Sequence, residues 1–137
     1  AHNTDAGMDL YLPEAITLKP FERQKVPLGI SLELLPNAAG LIWEKSSRGS
    51  EGLKTFAGVI DEGYRGELVA TLWNTNDESL HYEADTPIVQ LLVQPVLRPS
   101  VREVAQLNES ARDTGAFGST HTVVDGQWIS TVTPNQS

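Results

Sequence analysis

The chain has 137 residues, a formal net charge of −8 and no cysteine, which fits a single domain large enough to bury a core without disulfides. The lack of cysteine excludes a thiolate nucleophile and a cysteine-ligated metal and permits a reducing compartment, so we expect a cytoplasmic or nuclear protein. The acidic balance disfavours direct nucleic-acid binding, and the longest apolar stretch, residues 88–97, is too short to span a membrane.

Two-residue alternation of apolar side chains predicts β-strands. It runs from Val26 to Leu34 at every second position and returns at Leu68, Ala70 and Leu72. Between these stretches, one helical turn is predicted over residues 46–53. Proline and asparagine punctuation divides the chain into short segments of the length expected in a sandwich or barrel. The sequence therefore predicts an all-β domain with at most one short helix.

The segment GVIDEGYRGEL, residues 58–68, concentrates functional residue types in a hairpin-like stretch. Asp61 follows two apolar residues, where partial burial would raise the basicity of a carboxylate and suit it to accept a proton from water. A turn aspartate is the alternative, and Tyr64 in isolation reads as a strand aromatic. Arg65 and Glu67 are interpreted as a surface or subunit ion pair.

From residue 100 the chain becomes polar and glycine-punctuated, with few strand signals after Leu107. The alternatives are a frayed terminus and a mobile functional arm. We divide the chain into a β-barrel domain at 1–107, an arm at 108–120 and an extension of unassigned role at 121–137.

Five islands, in a fixed order along the chain, resemble the five motifs of the trimeric dUTPase family. They cover nearly the whole chain: DAGMDL (5–10), EKSSRGSEG (44–52), GVIDEGYRGE (58–67), ADTPIVQL (84–91) and RDTGAFGST (112–120). The resemblance implies a distorted jelly-roll-like β-barrel and hydrolysis of dUTP to dUMP and pyrophosphate with Mg²⁺. It also implies a homotrimer with shared active sites, in which the C-terminal arm is exchanged between subunits. In a cell, such an enzyme limits uracil incorporation into DNA and supplies dUMP for dTMP synthesis.

In the third motif, the resemblance makes Asp61 the catalytic base that activates the attacking water. Tyr64 would pack on the deoxyribose and exclude a 2′-hydroxyl. Main-chain groups of Phe56, Ala57 and Gly58 would read uracil, and a glycine allows close backbone approach to a ligand.

The first, second and fourth motifs would hold the triphosphate and its metal. The resemblance implies that Lys45, Ser46 and Ser47 bind phosphate oxygens. It further implies that Asp9 holds Mg²⁺ through water and that Gln90 positions phosphate and water.

The fifth motif would close the site. The resemblance assigns Arg112 to the γ-phosphate and Phe117 to stacking on uracil, with Gly118, Ser119 and Thr120 wrapping the phosphates.

Several positions depart from the usual motifs. Lys45 replaces a common arginine, and a KSS version occurs in some viral members, which is compatible with a viral or phage origin. Arg48 stands where a small apolar residue is common, Asp85 where glycine is usual and Pro87 where a basic residue is usual. The alternatives left open are a dCTP deaminase-like enzyme and a weakly catalytic protein of this fold that binds a regulatory protein partner.

Overall fold

The computed structural model describes residues 2–112 and 114, and the backbone of residues 121–124 and 127–130. Residues 1–98 form one compact unit and residues 99–137 a second. The elements of the first unit are β1 (Met8–Tyr11), β2 (Ile16–Leu18), β3 (Arg23–Pro27), β4 (Ala38–Glu44), α1 (Ser46–Ser50), β5 (Leu53–Phe56), β6 (Val59–Ile60), β7 (Val69–Asn74), β8 (Leu80–Tyr82) and β9 (Pro87–Pro95). The second unit contains β10 (His121–Val124) and β11 (Gln127–Ser130), which pair with each other. Over the described residues, the prediction of a nearly all-β chain with one short helix is confirmed.

The first unit is built from antiparallel sheets. The largest has the strand order β1-β9-β4-β6, a second has the order β3-β7-β5, and β2 pairs with β8. Between them lies a continuous apolar core, whose most deeply buried members are Leu12, Leu18, Leu68, Leu72, Ile88 and Val89.

The alternation seen in the sequence predicted the second apolar stretch correctly. Leu68, Ala70 and Leu72 are all buried, two of them on β7. In the first stretch the strand ends at Pro27, and Ile30 is 43% exposed, so this part of the prediction was wrong. The reason is local: proline has no N–H for a ladder, and Gly29 adopts a φ of 75°, which breaks an extended chain.

The predicted helical turn is present as α1, and none of its residues is buried. Gly52 follows the helix, and its φ of 87° is the left-handed conformation that favours glycine after a helix. A methyl group at Gly52 would lie 2.5 Å from Nδ2 of Asn76, so this turn also packs closely on the chain that follows β7.

The fully buried Asn74 organises that corner. Its Nδ2 lies 3.1 Å from the carbonyl oxygen of Leu18 and 2.7 Å from that of Glu78, and its Oδ1 accepts a hydrogen bond from the backbone N–H of Asn76. A buried amide with these partners is satisfied, and it fixes the end of β7 against β2.

The segment predicted as hairpin-like, residues 58–68, is not a hairpin, because β6 within it and β7 after it belong to different sheets. β5 belongs to the sheet of β3 and β7, whereas β6 pairs with β4 in the four-stranded sheet. The turn at residues 57–58 therefore carries the chain from one sheet to the other. Ala57 there has a φ of 54°, a conformation rare for a residue with a side chain.

Candidate functional site

A polar cavity of about 590 Å³ brings together three of the predicted motifs. We call it the polar pocket; it is lined by His2, Asp5, Ala6, Gly7, Asp9, Lys45, Ser46, Ser47 and Gln90. The first, second and fourth islands are far apart in sequence, and the sheet order β1-β9-β4 makes them neighbours. All five site residues that the sequence places in these islands line this pocket.

Strand register explains the convergence. Gln90 on β9 lies opposite Asp9 on β1 and opposite Trp43 on β4. Lys45 follows the last residue of β4 and leads directly into α1. Asp9, Gln90 and Trp43 therefore form a row across three strands, and α1 begins at the same end of the sheet.

Asp9 and Lys45 form an ion pair in the polar pocket. Lys45 Nζ lies 2.5 Å from Asp9 Oδ1, and both side chains are partly exposed. The pair places a cation and a carboxylate side by side, and these are groups that attract phosphate oxygens and a metal ion respectively. A ligand that carries both phosphate and metal would contact both groups, so we expect the pair to separate when such a ligand binds.

Gln90 is held from two sides. Its Nε2 donates a hydrogen bond of 2.9 Å to the carbonyl oxygen of Glu44. A methyl group at Gly7 would collide with Gln90 Oε1, so the amide occupies space that only glycine leaves open. Gly7 and Glu44 are thus supporting residues that the sequence analysis did not identify, although Gly7 belongs to the first island.

The donor set of the polar pocket fits Mg²⁺. The pocket offers carboxylate oxygens from Asp5 and Asp9, and Mg²⁺ prefers one or two carboxylates together with water and substrate phosphates. Among the described residues there is no group of three or more His, Cys, Asp and Glu placed to hold a metal by itself. A metal here would thus depend on ligands brought by the substrate.

The third island lines a different cavity. This cavity, which we call the turn pocket, measures about 190 Å³ and is lined by Ile42, Ala57, Val59, Ile60, Asp61, Tyr64, Glu67, Leu68 and Val69. It brings together the predicted base, the predicted sugar-stacking ring and part of the predicted uracil-reading turn.

Asp61 is exposed within this single chain. Its neighbour Val59 is 70% exposed, so the apolar burial that we expected to raise the basicity of Asp61 is not provided by its own chain. The carbonyl oxygen of Asp61 accepts a hydrogen bond of 3.1 Å from the N–H of Tyr64, which closes the turn between the two residues.

The Tyr64 hydroxyl folds back over the chain that follows it. The hydroxyl donates a hydrogen bond of 2.7 Å to the carbonyl oxygen of Glu67, and a methyl group at Gly66 would lie 2.5 Å from the same hydroxyl oxygen. Arg65 pairs with Glu33 at 3.0 Å rather than with Glu67, whose carboxylate instead accepts the N–H of Gly29. The predicted pair between Arg65 and Glu67 is therefore not formed within this chain, and Arg65 forms a surface ion pair with Glu33 instead.

The turn predicted to read uracil packs on β4. The carbonyl oxygen of Gly58 accepts a hydrogen bond of 2.8 Å from the N–H of Ile42, and a methyl group at Gly58 would lie 2.5 Å from the Ile42 carbonyl oxygen. Glycine is therefore required here by the neighbouring backbone, whether or not a ligand approaches.

Asp61 and Lys45 lie at opposite ends of β4. Ile60 is registered with Gly40, so Asp61 comes next to residue 39, and Glu62 accepts the N–H of Asn37 at 2.7 Å. Lys45 lies beyond the other end of the strand. From residue 39 to residue 45, at about 3.3 Å per residue, the separation is roughly 20 Å. One chain does not bring its Asp61 to its own polar pocket.

The fifth island is only partly described. Arg112 is exposed and lies in the second unit. Phe117, Gly118, Ser119 and Thr120 lie outside the described residues, so their predicted roles remain predictions.

Comparison with known proteins decides the family. The sequence profile of the family described as dUTPase matches residues 1–121. The chain belongs to the dUTPase family. Two relatives named deoxyuridine 5′-triphosphate nucleotidohydrolase are 35% identical (Clostridium kluyveri, 90% of this chain and 88% of the relative) and 41% identical (Clostridium novyi, 88% and 87%). The chain is a dUTP diphosphatase.

Solved structures show the same fold. The dUTPase of Staphylococcus bacteriophage 80alpha, solved with dUpNHpp, has a TM-score of 0.83 and 24% identity over 89% of each chain. A mutant dUTPase from phage phi11 of S. aureus, described with a structural Mg(II) ion, has a TM-score of 0.73 and 21% identity over 79% of this chain and 88% of that one. The jelly-roll-like fold predicted from the sequence is thereby confirmed. Among the described residues, no helix is long and apolar enough to cross a membrane.

Proposed function

We propose that Asp61 activates the water that attacks the α-phosphorus of dUTP, yielding dUMP and pyrophosphate. Asp61 is an exposed residue that lines the turn pocket, and Tyr64, three residues later, lines the same pocket. A general base must lie within about 3 Å of the water it deprotonates, and an exposed acid beside a substrate pocket meets that need. Hydrolysis of this kind would limit uracil incorporation into DNA and supply dUMP for dTMP synthesis.

The polar pocket would hold the triphosphate. Lys45 supplies a positive charge, Ser46 and Ser47 supply hydroxyl donors, and the amide of Gln90 is fixed against Glu44. Mg²⁺, when bound with Asp9 in its outer shell, would neutralise charge on the leaving pyrophosphate. The observation that carries this assignment is the convergence of three separate motifs on one cavity.

We further propose that each active site is shared between subunits of a homotrimer. The separation of roughly 20 Å along β4 supports this, because a base that far from the phosphate-binding groups cannot serve the same substrate. The turn pocket of one subunit would face the polar pocket of another. The arm, residues 108–120, would reach a neighbouring site with Arg112, Phe117, Gly118, Ser119 and Thr120.

An exposed apolar row supports contact with a second copy. Trp43 is 53% exposed and lies on the same face of β4 as Leu41, which is registered with Val59 on one side and Leu92 on the other. Three apolar side chains in one row, with Trp43 in the next row on the same face, form an apolar patch of the kind that marks a subunit contact. Such a contact would also bury the surroundings of Asp61, whose neighbour Val59 belongs to the row.

The proposal is tested with a panel of dUTP, UTP, dCTP and dTTP, with products separated and mass measured in solution. We expect dUMP and pyrophosphate from dUTP alone, and the mass of a trimer. Ammonia release from dCTP would establish the deaminase-like alternative. A folded, Mg²⁺-supplied sample that binds dUTP without releasing pyrophosphate would contradict the proposed mechanism and favour a binding protein.

A further inference from the structure

Arg48 is the centre of a cluster next to the polar pocket. Its Nη1 donates to both carboxylate oxygens of Glu51, at 2.8 and 2.9 Å, and its Nε donates to the carbonyl oxygen of Pro87 at 3.3 Å. Its guanidinium carbon lies 5.1 Å from the centre of the Tyr82 ring, within the range of a cation–π contact. The Tyr82 hydroxyl donates to Glu51 at 2.6 Å and closes the cluster.

Besides Arg48, the helix that carries it is held at its C-terminal end, where Asn76 Nδ2 donates to the Glu51 carbonyl oxygen and Thr75 Oγ1 donates to the Gly52 carbonyl oxygen. α1 spans Ser46–Ser50, contains no buried residue and has no side-chain cap at Lys45. A helix of this length is not stable by itself, so its position depends on tertiary contacts. The side-chain contacts of Arg48 reach β8 through Tyr82 and the first residue of β9 through Pro87.

These contacts join two parts of the polar pocket. Ser46 and Ser47 sit on the same helical turn as Arg48, and Gln90 follows Pro87 on β9. We propose that Arg48 is a positioning residue that fixes the phosphate-binding serines relative to Gln90. The inference rests on the proposed function of the polar pocket and adds a residue to it.

Arg48 is not itself among the residues that line the polar pocket. Its donors are directed to Glu51 and Pro87, so it acts on the substrate only through Ser46, Ser47 and Gln90. Arg48 therefore differs from an arginine that binds a nucleotide directly.

The cluster requires arginine rather than any cation. The rigid guanidinium presents Nε and Nη1 to different acceptors while its plane stays over a ring, and a lysine ammonium on a flexible stem cannot reproduce that geometry. Burial, followed by the bond to Glu51, raises the pKa of Tyr82 to about 12, so the phenol keeps its proton and remains a donor to Glu51 at neutral pH.

The test compares Arg48→Met, Arg48→Lys and Glu51→Gln with the control Glu83→Gln. Glu83 is a carboxylate one residue from Tyr82 whose described contact is an exposed pair with His81, so its change matches Glu51→Gln in chemistry and not in position. kcat and KM for dUTP are measured at saturating Mg²⁺. Active sites are counted by titration with an imido analogue of dUTP, and folded trimer is verified by mass and circular dichroism.

We expect Arg48→Met to raise KM and to lower kcat per active site, with a loss in kcat/KM of about tenfold or more, because small displacements of positioning groups cost this much. Arg48→Lys should recover part of the loss. Glu51→Gln should lose less, and the double variant should lose no more than Arg48→Met because both changes act on one cluster. Glu83→Gln should match the wild type.

A purely structural role predicts a different result: a lower unfolding midpoint and fewer active sites, with KM and kcat per site unchanged. That outcome would overturn the inference. If Arg48→Met does not fold, Glu51→Gln decides, and equality with Glu83→Gln would overturn it as well. A wild-type protein that fails to hydrolyse dUTP would contradict the proposed function instead.

Discussion

Replacing Gly58 by alanine tests whether the turn pocket is built on the backbone of β4. The added methyl group would lie 2.5 Å from the Ile42 carbonyl oxygen and 3.1 Å from the Ile42 nitrogen. Backbone cannot move aside as the end of a long side chain can, so the turn must shift. Overpacking of this kind costs about 1–3 kcal/mol, and loss of the bond between the Ile42 N–H and the Gly58 carbonyl adds about 1 kcal/mol.

Gly63→Ala is the matched control. A methyl group there meets nothing within 4 Å, and neither glycine has a positive φ, so the same substitution in the same segment has no steric cost. We expect Gly63→Ala to change the free energy of unfolding by less than about 0.5 kcal/mol.

The assay is urea unfolding at a fixed protomer concentration, followed by tryptophan fluorescence, together with kcat/KM for dUTP. We expect Gly58→Ala to lose roughly 2–4 kcal/mol in the free energy of unfolding. It should also lose activity, because Asp61 follows the displaced strand. If Gly58→Ala and Gly63→Ala unfold at the same urea concentration with equal kcat/KM, the steric reasoning is refuted.

Three further predictions concern Gly7, Tyr82 and the arm. In Gly7→Ala, the new methyl group would collide with the amide of Gln90 and displace it. The free energy of unfolding should fall by only about 1 kcal/mol, whereas kcat should fall about tenfold or more. An unchanged kcat would show that Gln90 has no part in the reaction. Burial and the bond to Glu51 raise the pKa of Tyr82 from 10.0 to about 12, so the folded state favours the neutral phenol. The resulting contribution to the free energy of unfolding is complete below pH 10 and is lost as pH rises towards about 12. The urea midpoints of the wild type and Tyr82→Phe should therefore converge over that interval. Parallel alkaline slopes for the two proteins would contradict this. Deleting the residues after Leu107 should reduce kcat for dUTP severely while leaving the first unit folded, and a truncated protein with the wild-type kcat would show that the arm has no part in catalysis.

The resemblance of short islands to the dUTPase motifs predicted which residues line the polar pocket. Asp9, Lys45, Ser46, Ser47 and Gln90 were each assigned from short sequence islands, and they line one pocket. The islands are informative because they occur together, in the order that the family's motifs have.

The sequence did not predict contacts that depend on the path of the backbone. Arg48 had no assignable role, since its partners Glu51, Tyr82 and Pro87 become neighbours only when α1, β8 and β9 meet. Between Val26 and Leu34, apolar alternation predicted the buried side chains better than it predicted the strand. Burial follows the alternation of side chains, whereas strand pairing also requires a regular backbone that can form hydrogen bonds with its neighbour.

The distance between Asp61 and the polar pocket could not be predicted from the sequence either. Both Asp61 and Lys45 belong to motifs of one chemistry, and only the register of β6 on β4 places them at opposite ends of the strand. A resemblance can assign roles to residues, whereas distance within one chain requires coordinates.

The central claim is that Asp61 of one subunit serves the polar pocket of another, and mixing two inactive variants tests it directly. Asp61→Asn removes the base, and Asp9→Asn disables the polar pocket, so each homotrimer should hydrolyse dUTP very slowly. After joint unfolding and reassembly in equal amounts, shared sites should regain about a quarter of the wild-type activity, because both intact halves then meet at random in that fraction of sites. No recovery, in samples shown by mass to contain mixed trimers, would place both halves in a single chain and contradict the account.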